Sequence, residues 1–403
     1  MAVKWTPMKL DQLGFVGRGK SRHRPRNAAF LYGGPYPFFQ TGDIKAANLK
    51  LTEYSQTYSE AGLAQSKLWK PGTLCITIAA NIAETAILGI EGCFPDSIVG
   101  FVANPAKCDV RFIKYYIDFI KLQMQSASRG TTQDNLSLDK LHTFDFLVPP
   151  LPIQSRIASI LSAYDDLIEN CQRRIKILET MTRALYREWF VEFRFPGHEN
   201  HARVSSPLGE IPEGWEVKQL GELAEEMRRN VPKGELKQPQ PYVGLEHIPR
   251  RSLALDAWET TTELGSNKLE FKKGEILFGK IRPYFHKVSV APFDGLCSAD
   301  TIVIRARRPE HYSLVVACVS SDAFVAHASA TANGAKMPRA NWNVLRKYQI
   351  VVPNGGVADE FSALVANAVA SQQALVLQVQ NLRRTRDLLL PRLLSGNIEL
   401  EAA

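Results

Sequence analysis

The chain has 403 residues, of which 45% are hydrophobic and 22% charged, and its 49 Lys and Arg residues outnumber its 41 Asp and Glu residues. This length exceeds one ordinary domain and predicts two or three, and this composition excludes wholesale disorder. The net charge of +8 favours a polyanionic partner.

The cysteine content and the hydropathy of the chain indicate the cellular compartment in which it works. The 6 cysteines form no C-x-x-C pair, which argues against a zinc site or a disulfide framework and predicts reduced thiols. The N-terminus lacks the apolar core of a signal peptide, and no uninterrupted apolar run approaches the length of about 18 residues that a membrane span needs. We therefore expect a soluble, cytoplasmic protein.

The N-terminal half begins with a basic segment that matches a phosphate-loop pattern. Residues 14–21 read Gly-Phe-Val-Gly-Arg-Gly-Lys-Ser. A true phosphate loop follows a buried strand and opens a helix, but residues 8–13 are not an apolar strand and Pro25 disfavours a helix. We interpret the segment as a basic loop whose cations suit phosphates and guanine edges, with a solvated charge run as the alternative. These cations are Arg18, Lys20, Arg22, Arg24 and Arg26.

A mixed domain is predicted at residues 1–150. It contains a β-rich run at residues 72–78, a helical stretch at 111–125 and a Gly-containing loop at 129–135. Polar side chains in that loop suit phosphate or base edges, although an ordinary polar turn explains them equally well. The candidates are Thr131, Thr132 and Gln133.

A long helix is predicted next, at residues 151–195. Pro150 and Pro152 suit a helix start, and the pattern ends at a Phe-Pro-Gly stop signal. Apolar residues recur in steps of three and four and define a narrow seam. The seam includes Ile157, Ile160, Tyr164, Leu167, Leu178 and Leu185.

The second half repeats this plan at an offset of 204 residues. Asp96-Ser97-Ile98-Val99 falls on Asp300-Thr301-Ile302-Val303, and residues 146–149 fall on 350–353, with no gap required from Asp96 onward. The repeat predicts a second domain at residues 196–354 and a second long helix at 355–403. The second seam includes Phe361, Leu364, Leu375, Leu382 and Leu389.

Two segments of the second domain are candidate DNA-contacting loops. Residues 278–287 interleave basic and aromatic side chains, as nucleic-acid surfaces do, although a strand with its rings facing the core is the alternative. Residues 333–339 occupy the position of the loop at 129–135. The candidate contacts are Lys280, Arg282, Tyr284, His286, Lys336 and Arg339.

Together these features predict an α+β fold. Two mixed α/β target-recognition domains related by a pseudo-two-fold axis would be separated by two long antiparallel coiled-coil helices. Each helix would span roughly 60 Å at about 1.5 Å per residue. Fixed spacing between two reading heads is what a split DNA site requires. Two independent partner-binding helices are the alternative.

No catalytic or metal site is predicted. His198 and His201 share a linker without further ligands. We find no supported Ser/His/Asp arrangement and no Asn-Pro-Pro-Tyr motif of the amino-methyltransferase type. The sequence therefore predicts a non-catalytic protein that binds no cofactor itself.

Four ordered segments carry a resemblance across essentially the whole chain. They are Gly-Gly-Pro-Tyr-Pro-Phe-Phe-Gln-Thr-Gly-Asp-Ile at residues 33–44, Pro-Pro-Leu-Pro-Ile-Gln-Ser-Arg-Ile-Ala at 149–158, Gly-Glu-Ile-Pro-Glu-Gly-Trp at 209–215 and Leu-Leu-Pro-Arg-Leu-Leu-Ser-Gly at 389–396. In this order they resemble the specificity subunits of type I restriction-modification enzymes. The second half departs from the pattern, because Asn354-Gly355-Gly356 replaces the Pro-Leu-Pro helix entry.

The resemblance implies a division of labour. Each domain would read one half of an asymmetric bipartite site in double-stranded DNA, while the helices set the spacer and dock two methyltransferase subunits. Adenine-N6 methylation with S-adenosylmethionine would belong to those subunits, with the target base flipped out. ATP- and Mg-dependent translocation and cleavage would belong to restriction (motor) subunits.

Two other functions remain open at this level. One is a P-loop nucleotide hydrolase, resting on Gly19-Lys20-Ser21. The other is a coiled-coil scaffold protein with incidental basic charge.

Overall fold

The protein is described by a computed structural model that covers residues 4–128, 136–398 and 400. The chain forms two compact units, Met1–Glu169 with Leu382–Ala403, and Asn170–Asn381. The first part of the chain contains β1 (Thr6–Met8), α1 (Leu10–Leu13), β2 (Gly14–Arg18), β3 (Tyr32–Phe38), α2 (Thr41–Ala46), β4 (Lys50–Leu51), β5 (Gln56–Tyr58), α3 (Glu60–Ala64), β6 (Leu74–Thr77), β7 (Thr85–Leu88), β8 (Ile98–Ala103), α4 (Val110–Ser128), α5 (Leu138–Thr143), β9 (Phe146–Val148) and α6 (Leu151–Phe190).

The remainder repeats many of these elements. They are β10 (Arg203–Ser206), β11 (Gly209–Pro212), β12 (Glu216–Gln219), α7 (Leu220–Leu223), β13 (Ala224–Met227), β14 (Arg229–Val231), β15 (Gly234–Val243), β16 (Glu259–Leu264), β17 (Lys268–Phe271), β18 (Ile276–Gly279), β19 (Val288–Val290), β20 (Gly295–Ser298), β21 (Thr301–Ala306), α8 (Tyr312–Val319), α9 (Asp322–Ala330), α10 (Trp342–Leu345), β22 (Gln349–Val352) and α11 (Gly355–Leu394).

A five-stranded sheet in the order β2-β8-β6-β7-β4 organises the first unit. β6 is buried along its whole length, because its residues Leu, Cys, Ile and Thr can be covered on both faces. On one face Leu74 and Ile76 belong to the same buried cluster as Leu10 and Phe112. On the other face Cys75 joins a second cluster.

The C-terminal end of α11 completes this core. Leu393 and Leu394 are buried in the same cluster as Leu10 and Phe112. Nearby, a side chain on Gly396 would place its Cβ 3.1 Å from the indole nitrogen of Trp5. Residues from both ends of the chain therefore build one hydrophobic core.

The second unit contains a four-stranded sheet, β13-β21-β18-β19, and a five-stranded sheet, β14-β17-β20-β15-β16. One buried cluster joins β18 and β21 to α8 and α9, where Phe278 packs edge-on to Phe324 at 5.8 Å between ring centroids. The helical region at residues 312–330 is divided into α8 and α9 at Ser320 and Ser321. The break has a local cause, because the Ser321 hydroxyl accepts a hydrogen bond from the Phe324 N–H at 3.2 Å and caps α9.

The doubling of one plan is confirmed. The order β2-β8-β6-β7 recurs as β13-β21-β18-β19, and the pair β1-β9 recurs as β12-β22. Even a single loop hydrogen bond repeats: Leu136 donates to the Ile78 carbonyl at 2.9 Å, and Ala340 to the Lys280 carbonyl at 3.0 Å.

The ungapped offset of 204 is wrong within one strand. Cys75 in β6 and Leu277 in β18 occupy equivalent positions. Cys75 pairs with Gly100 of β8, whereas Leu277 pairs with Val303 of β21. Gly100 therefore corresponds to Val303, and these two strands are related by 203 residues. A one-residue slip moves every side chain of a strand to the opposite face. Matching Val99 to Val303, as the sequence does, would place equivalent residues on different faces of the sheet.

The two long helices are observed as α6 and α11. The first ends at Phe190, five residues before the predicted 195, and the second ends at Leu394 rather than 403. Ile157, Phe361 and Leu375 are buried as predicted. Six other predicted seam residues are half-buried: Ile160, Tyr164, Leu178, Leu185, Leu382 and Leu389.

Leu167 and Leu364 were wrongly assigned to the seam. They are 50% and 48% exposed, whereas the neighbouring Ile168 and Val365 are buried. The buried face lies one residue further along because it includes polar positions such as Asp165 and Glu179, which a search for apolar periodicity does not select.

The contacts within each unit make the helices antiparallel. In the first unit Arg386, near the end of α11, donates to Asp165 in the first half of α6 at 2.5 Å. In the second unit Phe190, at the end of α6, packs against Phe361 near the start of α11, with 4.6 Å between ring centroids. The N-terminal half of each helix thus pairs with the C-terminal half of the other.

One described helix, α11, is long and apolar enough to cross a membrane by length and composition, and the bent pair of α8 and α9 qualifies when counted as one span. Core helices of soluble proteins meet the same criterion. In α11, Phe361, Val365 and Val369 belong to the buried cluster of the second unit.

Candidate nucleic-acid interface

The basic loop of the first unit lies on the surface directly after β2. The Gly19 N–H donates to the Ile98 carbonyl at 2.9 Å and the Lys20 N–H to the Phe94 carbonyl at 3.0 Å. A Cβ on Gly19 would lie only 2.3 Å from the Phe94 carbonyl oxygen, so glycine permits this close approach. The backbone is thus held against the domain while the five predicted cations are exposed.

The charges of these five cations are not equally available. Arg26 donates from its Nη2 to both carboxylate oxygens of Asp96, at 2.9 and 3.0 Å, and Arg18 donates to the Asp96 main-chain carbonyl at 3.1 Å. Arg24 donates only to backbone carbonyls. Among the described residues no carboxylate pairs with Arg24, Lys20 or Arg22. Arg18 also has only a backbone partner, so Arg26 alone of the five cations is neutralised by a carboxylate among the described residues.

The structure adds Lys67 and Phe15 to this surface, which sequence reasoning missed. The Lys67 ammonium lies 3.6 Å from the ring centroid of Trp69 and 4.7 Å from that of the exposed Phe15. Burial and, to a smaller extent, the charge of Lys20 lower the pKa of Lys67. Because 47 residues separate Lys20 from Lys67 in the sequence, no local pattern places them together.

The phosphate-loop match is not a phosphate loop. Residues Gly14–Arg18 form the strand β2, and no helix opens at Lys20 or Ser21. Ser21 is buried, with its hydroxyl 3.3 Å from the Tyr58 hydroxyl. The helix N-terminus that would hold the phosphates is therefore missing from this described part of the chain.

In the second unit the structure brings the two predicted loops together. The Arg282 N–H donates to the Pro338 carbonyl at 2.8 Å, and Ile281 and Arg339 form an isolated β-bridge. Lys280, Arg282 and Arg339 therefore lie on neighbouring backbone segments, with Lys336 in the same loop.

The loop at residues 280–287, named the reading loop, and its counterpart at residues 78–84 of the first unit both have a strained backbone. Arg282 and His286 have φ values of 50° and 53°, and Ala80 and Ala83 of the corresponding loop have 63° and 60°. Non-glycine residues with positive φ are costly and concentrate at functional sites. Their recurrence at matching places supports a role for the loop in each unit.

The side chains of the second surface differ in exposure and pairing. Tyr284 is 55% exposed, and Lys336 and Arg339 are also exposed. Arg339 lies 3.4 Å from Asp300. Lys280 is half-buried, donates to the Ala299 carbonyl at 3.0 Å and lies 3.9 Å from Glu226. Acidic neighbours thus partly neutralise this surface.

His286 was wrongly assigned to the interface. It is only 4% exposed, its Nε2 lies 2.9 Å from the Ser320 carbonyl, and its Nδ1 lies 3.4 Å from Asp322. Burial lowers the pKa of this imidazole. The short helical turn Pro283–Phe285 directs the ring inward, which the interleaved basic and aromatic pattern does not reveal.

Thr131, Thr132 and Gln133 lie outside the described residues, so their assignment stays a prediction.

One group of side chains in the described part of the chain has the proximity of metal ligands. Glu246, His247 and Glu259 place potential ligand atoms within 4.8 Å of one another. However, His247 Nδ1 accepts the Gly244 N–H at 2.9 Å. Its Nε2, on the other side of the ring, lies 3.3 Å from Glu259, and a hydrogen bond from an imidazole N–H to this carboxylate accounts for their proximity without a metal.

Comparisons with known proteins agree with this architecture. The sequence model described as "Type I restriction modification DNA specificity domain" matches residues 2–180. The MjaIX specificity subunit of Methanocaldococcus jannaschii is 23% identical, covering 98% of this chain and 94% of the relative. The EcoDI specificity subunit of Escherichia coli is also 23% identical, covering 94% and 85%. The chain is therefore similar, over nearly its whole length, to specificity subunits of type I restriction enzymes.

A solved structure of this family shares the fold. The S subunit from M. genitalium superimposes with a TM-score of 0.61 at 13% identity, covering 97% of this chain and 96% of the other chain. The resemblance seen in the sequence motifs is thus confirmed, and nothing supports a nucleotide hydrolase or a scaffold protein.

Proposed function

We propose that the two units read different halves of one asymmetric bipartite DNA site. The observation that carries this proposal is a shared scaffold with different side chains at matching positions. Ile78 and Ala80 of the first unit correspond to Lys280 and Arg282 of the second. Side chains that differ at equivalent positions select different base edges.

Within each unit the contacts divide into two kinds. Lys20, Arg22 and Arg24 carry uncompensated charge and neutralise phosphates, which confers affinity and salt dependence. Arg282, held by its backbone in a strained loop, presents donors suited to guanine. Tyr284 adds an exposed aromatic ring beside it.

The long helices set the unspecific spacer and dock two methyltransferase subunits. The repeated plan supports this assignment, because equivalent halves of one chain offer equivalent surfaces to two copies of a partner. Adenine-N6 methylation and ATP-driven cleavage, with S-adenosylmethionine, ATP and Mg, reside in the partner subunits. The specificity subunit itself is non-catalytic and works in the cytoplasm without a membrane.

Adenine-methylation mapping tests the proposal directly. DNA is sequenced from cells that express this subunit with its methyltransferase, and from cells that express the methyltransferase alone. We expect modified adenines in two unlike half-sites separated by a spacer of constant length, only when both proteins are present. A palindromic or continuous site, or modification independent of this chain, would overturn the proposal.

Two binding assays separate the proposal from the other readings. Sequence-specific duplex binding that survives competitor DNA distinguishes a reader from a scaffold. Nucleotide binding is compared between the wild type and Lys20→Ala. We expect no Lys20-dependent nucleotide binding. Tight nucleotide binding that is lost in the variant would instead support the interpretation as a P-loop nucleotide hydrolase.

A further inference from the structure

A buried carboxylate on α6 holds a segment of the second unit that borders the reading loop. Glu179 is only 6% exposed. Its Oε1 accepts hydrogen bonds from the Ser252 hydroxyl at 2.5 Å, the Leu253 N–H at 2.8 Å and the Ala254 N–H at 3.2 Å. Three donors thus converge on one oxygen of a buried carboxylate.

The segment held in this way runs into the candidate interface. Arg251, next to Ser252, donates its N–H to the His286 carbonyl at 2.8 Å, at the end of the reading loop. Arg250 places its guanidinium 4.1 Å from the ring centroid of Phe285, the neighbour of Tyr284. In the same segment, the Leu253 carbonyl accepts a hydrogen bond from the Val290 N–H at 2.9 Å. Movement of this segment would therefore move the reading loop.

A second side chain of α6 reinforces the attachment. Arg183, one turn after Glu179, donates to the Arg251 carbonyl at 3.0 Å and lies 4.0 Å from the Glu179 carboxylate. The helix therefore supplies an acceptor for the backbone N–H groups and a donor for a carbonyl of one short segment.

Packing alone does not explain a charge at this position. Burying a carboxylate is costly unless hydrogen bonds compensate it, and an apolar side chain would fill the space without that cost. Hydrogen bonds, unlike apolar contacts, fix direction and distance. The first unit has Arg383 at the position 204 residues from Glu179, so this acidic anchor belongs to the second unit alone.

We propose that Glu179 is a positioning residue for DNA recognition by the second unit. It fixes the segment at residues 250–254, and through it the loop that carries Arg282 and Tyr284, in the orientation that discriminates bases. This inference rests on the proposed function, and it assigns to a spacer helix an indirect part, through the segment at residues 250–254, in sequence discrimination at one half-site.

The test compares discrimination at the two half-sites. Duplexes carry the mapped site intact, with the first half substituted or with the second half substituted, and affinities are measured by equilibrium titration. The proteins are the wild type, Glu179→Ala, Glu179→Gln, Ser252→Ala and Arg282→Ala. Glu188→Gln serves as the matched control, since Glu188 lies on the same helix and pairs with Arg194 instead.

We expect the penalty for substituting one half to fall at least tenfold in Glu179→Ala. It should be the same half that responds to Arg282→Ala, and the penalty at the other half should stay within about twofold of wild type. Glu179→Gln and Ser252→Ala should give smaller losses of the same kind, because each removes only part of the hydrogen bonding. Glu188→Gln should match the wild type.

The outcomes separate the two proposals. A wild type that discriminates neither half would overturn the proposed function. A wild type that discriminates both halves, with Glu179 variants that lose both equally or lose neither, would overturn only the role of Glu179. Because Glu179→Ala removes a buried anchor, thermal unfolding is measured alongside, and Ser252→Ala alone decides the result where Glu179→Ala does not fold.

Discussion

The two recognition units share a scaffold but differ in how their cations are paired. In the first unit Lys20, Arg22 and Arg24 have no carboxylate partner among the described residues. In the second unit Lys280 and Arg339 lie near Glu226 and Asp300. The difference indicates that the first unit contributes more to phosphate attraction, and that the second depends more on placing individual donors.

The long helices differ in a similar way at their two paired ends. In the first unit Asp165 accepts from the Tyr115 hydroxyl and from Arg386, each at 2.5 Å. The positions 204 residues away are Val319, Val369 and Thr182, which are all buried. The same seam is therefore closed by a polar triad in one unit and by mostly apolar packing in the other.

The largest effect is expected from breaking the triad. Arg386→Ala leaves Asp165 buried without its cation, which costs about 3–5 kcal/mol, whereas Thr182→Ala at the matching position costs about 1 kcal/mol. Chemical denaturation of both variants measures the free energies of unfolding. Equal losses would contradict the contrast between the two ends.

Removing the free cations of the first unit should change the salt dependence most. At about 0.9 per phosphate contact, the triple variant Lys20→Ala, Arg22→Ala, Arg24→Ala lowers the slope of log affinity against log salt by about 3. The control Lys280→Ala, Arg339→Ala should lower it by less than half as much, because acids already offset those charges. Equal slopes for the two variants would contradict the proposed difference in phosphate attraction between the two units.

A single side chain should alter sequence preference in the second unit. Arg282→Ala is expected to cost about 1–3 kcal/mol and to relax selectivity within one half-site only. Arg24→Ala should instead weaken binding to all sequences and reduce the salt slope. Titrations against single-base variants of the site distinguish these patterns, and unchanged affinity for both variants would place both arginines outside the interface.

The smallest effect concerns pH and His286. Because burial lowers the pKa of this imidazole in the folded state, the unfolded chain binds the proton first as pH falls. Stability is intact above the unfolded value of about 6.5 and declines below it, by at most about 1.4 kcal/mol per pH unit. Asp322, Arg251 and Arg183 face this site and remain in His286→Gln, whose stability should fall less between pH 7 and 5.5. Equal declines would show that other groups control the effect.

The repeat and the long helices could be predicted because both rest on apolar periodicity and turn residues. The exact residues on the buried face of the long helices could not be predicted. Asp165, Glu179 and Gln372 are buried although their side chains are polar, and the partners of Asp165 and Glu179 come from distant segments. Apolar spacing therefore selected Leu167 and Leu364, one residue from the buried face.

The strand register and the charge pairing of the site could not be predicted from the sequence, for related reasons. The one-residue slip in β21 leaves the run of apolar residues intact, so only hydrogen-bond pairing reveals it. The exposure of Lys20 was predictable from its surroundings of glycine and charge. The neutralisation of Arg26 by Asp96, 70 residues away, and the inward turn of His286 depend on tertiary contacts.

The placement of Leu393 and Leu394 in the first unit has a consequence for biosynthesis. Residues Asn170–Asn381 form a continuous stretch that can pack as soon as it leaves the ribosome. The first unit is made earlier but lacks part of its core until the last residues of α11 are translated. The domain synthesised first is therefore the domain completed last, and premature termination within α11 would leave its hydrophobic core open to aggregation and proteolysis.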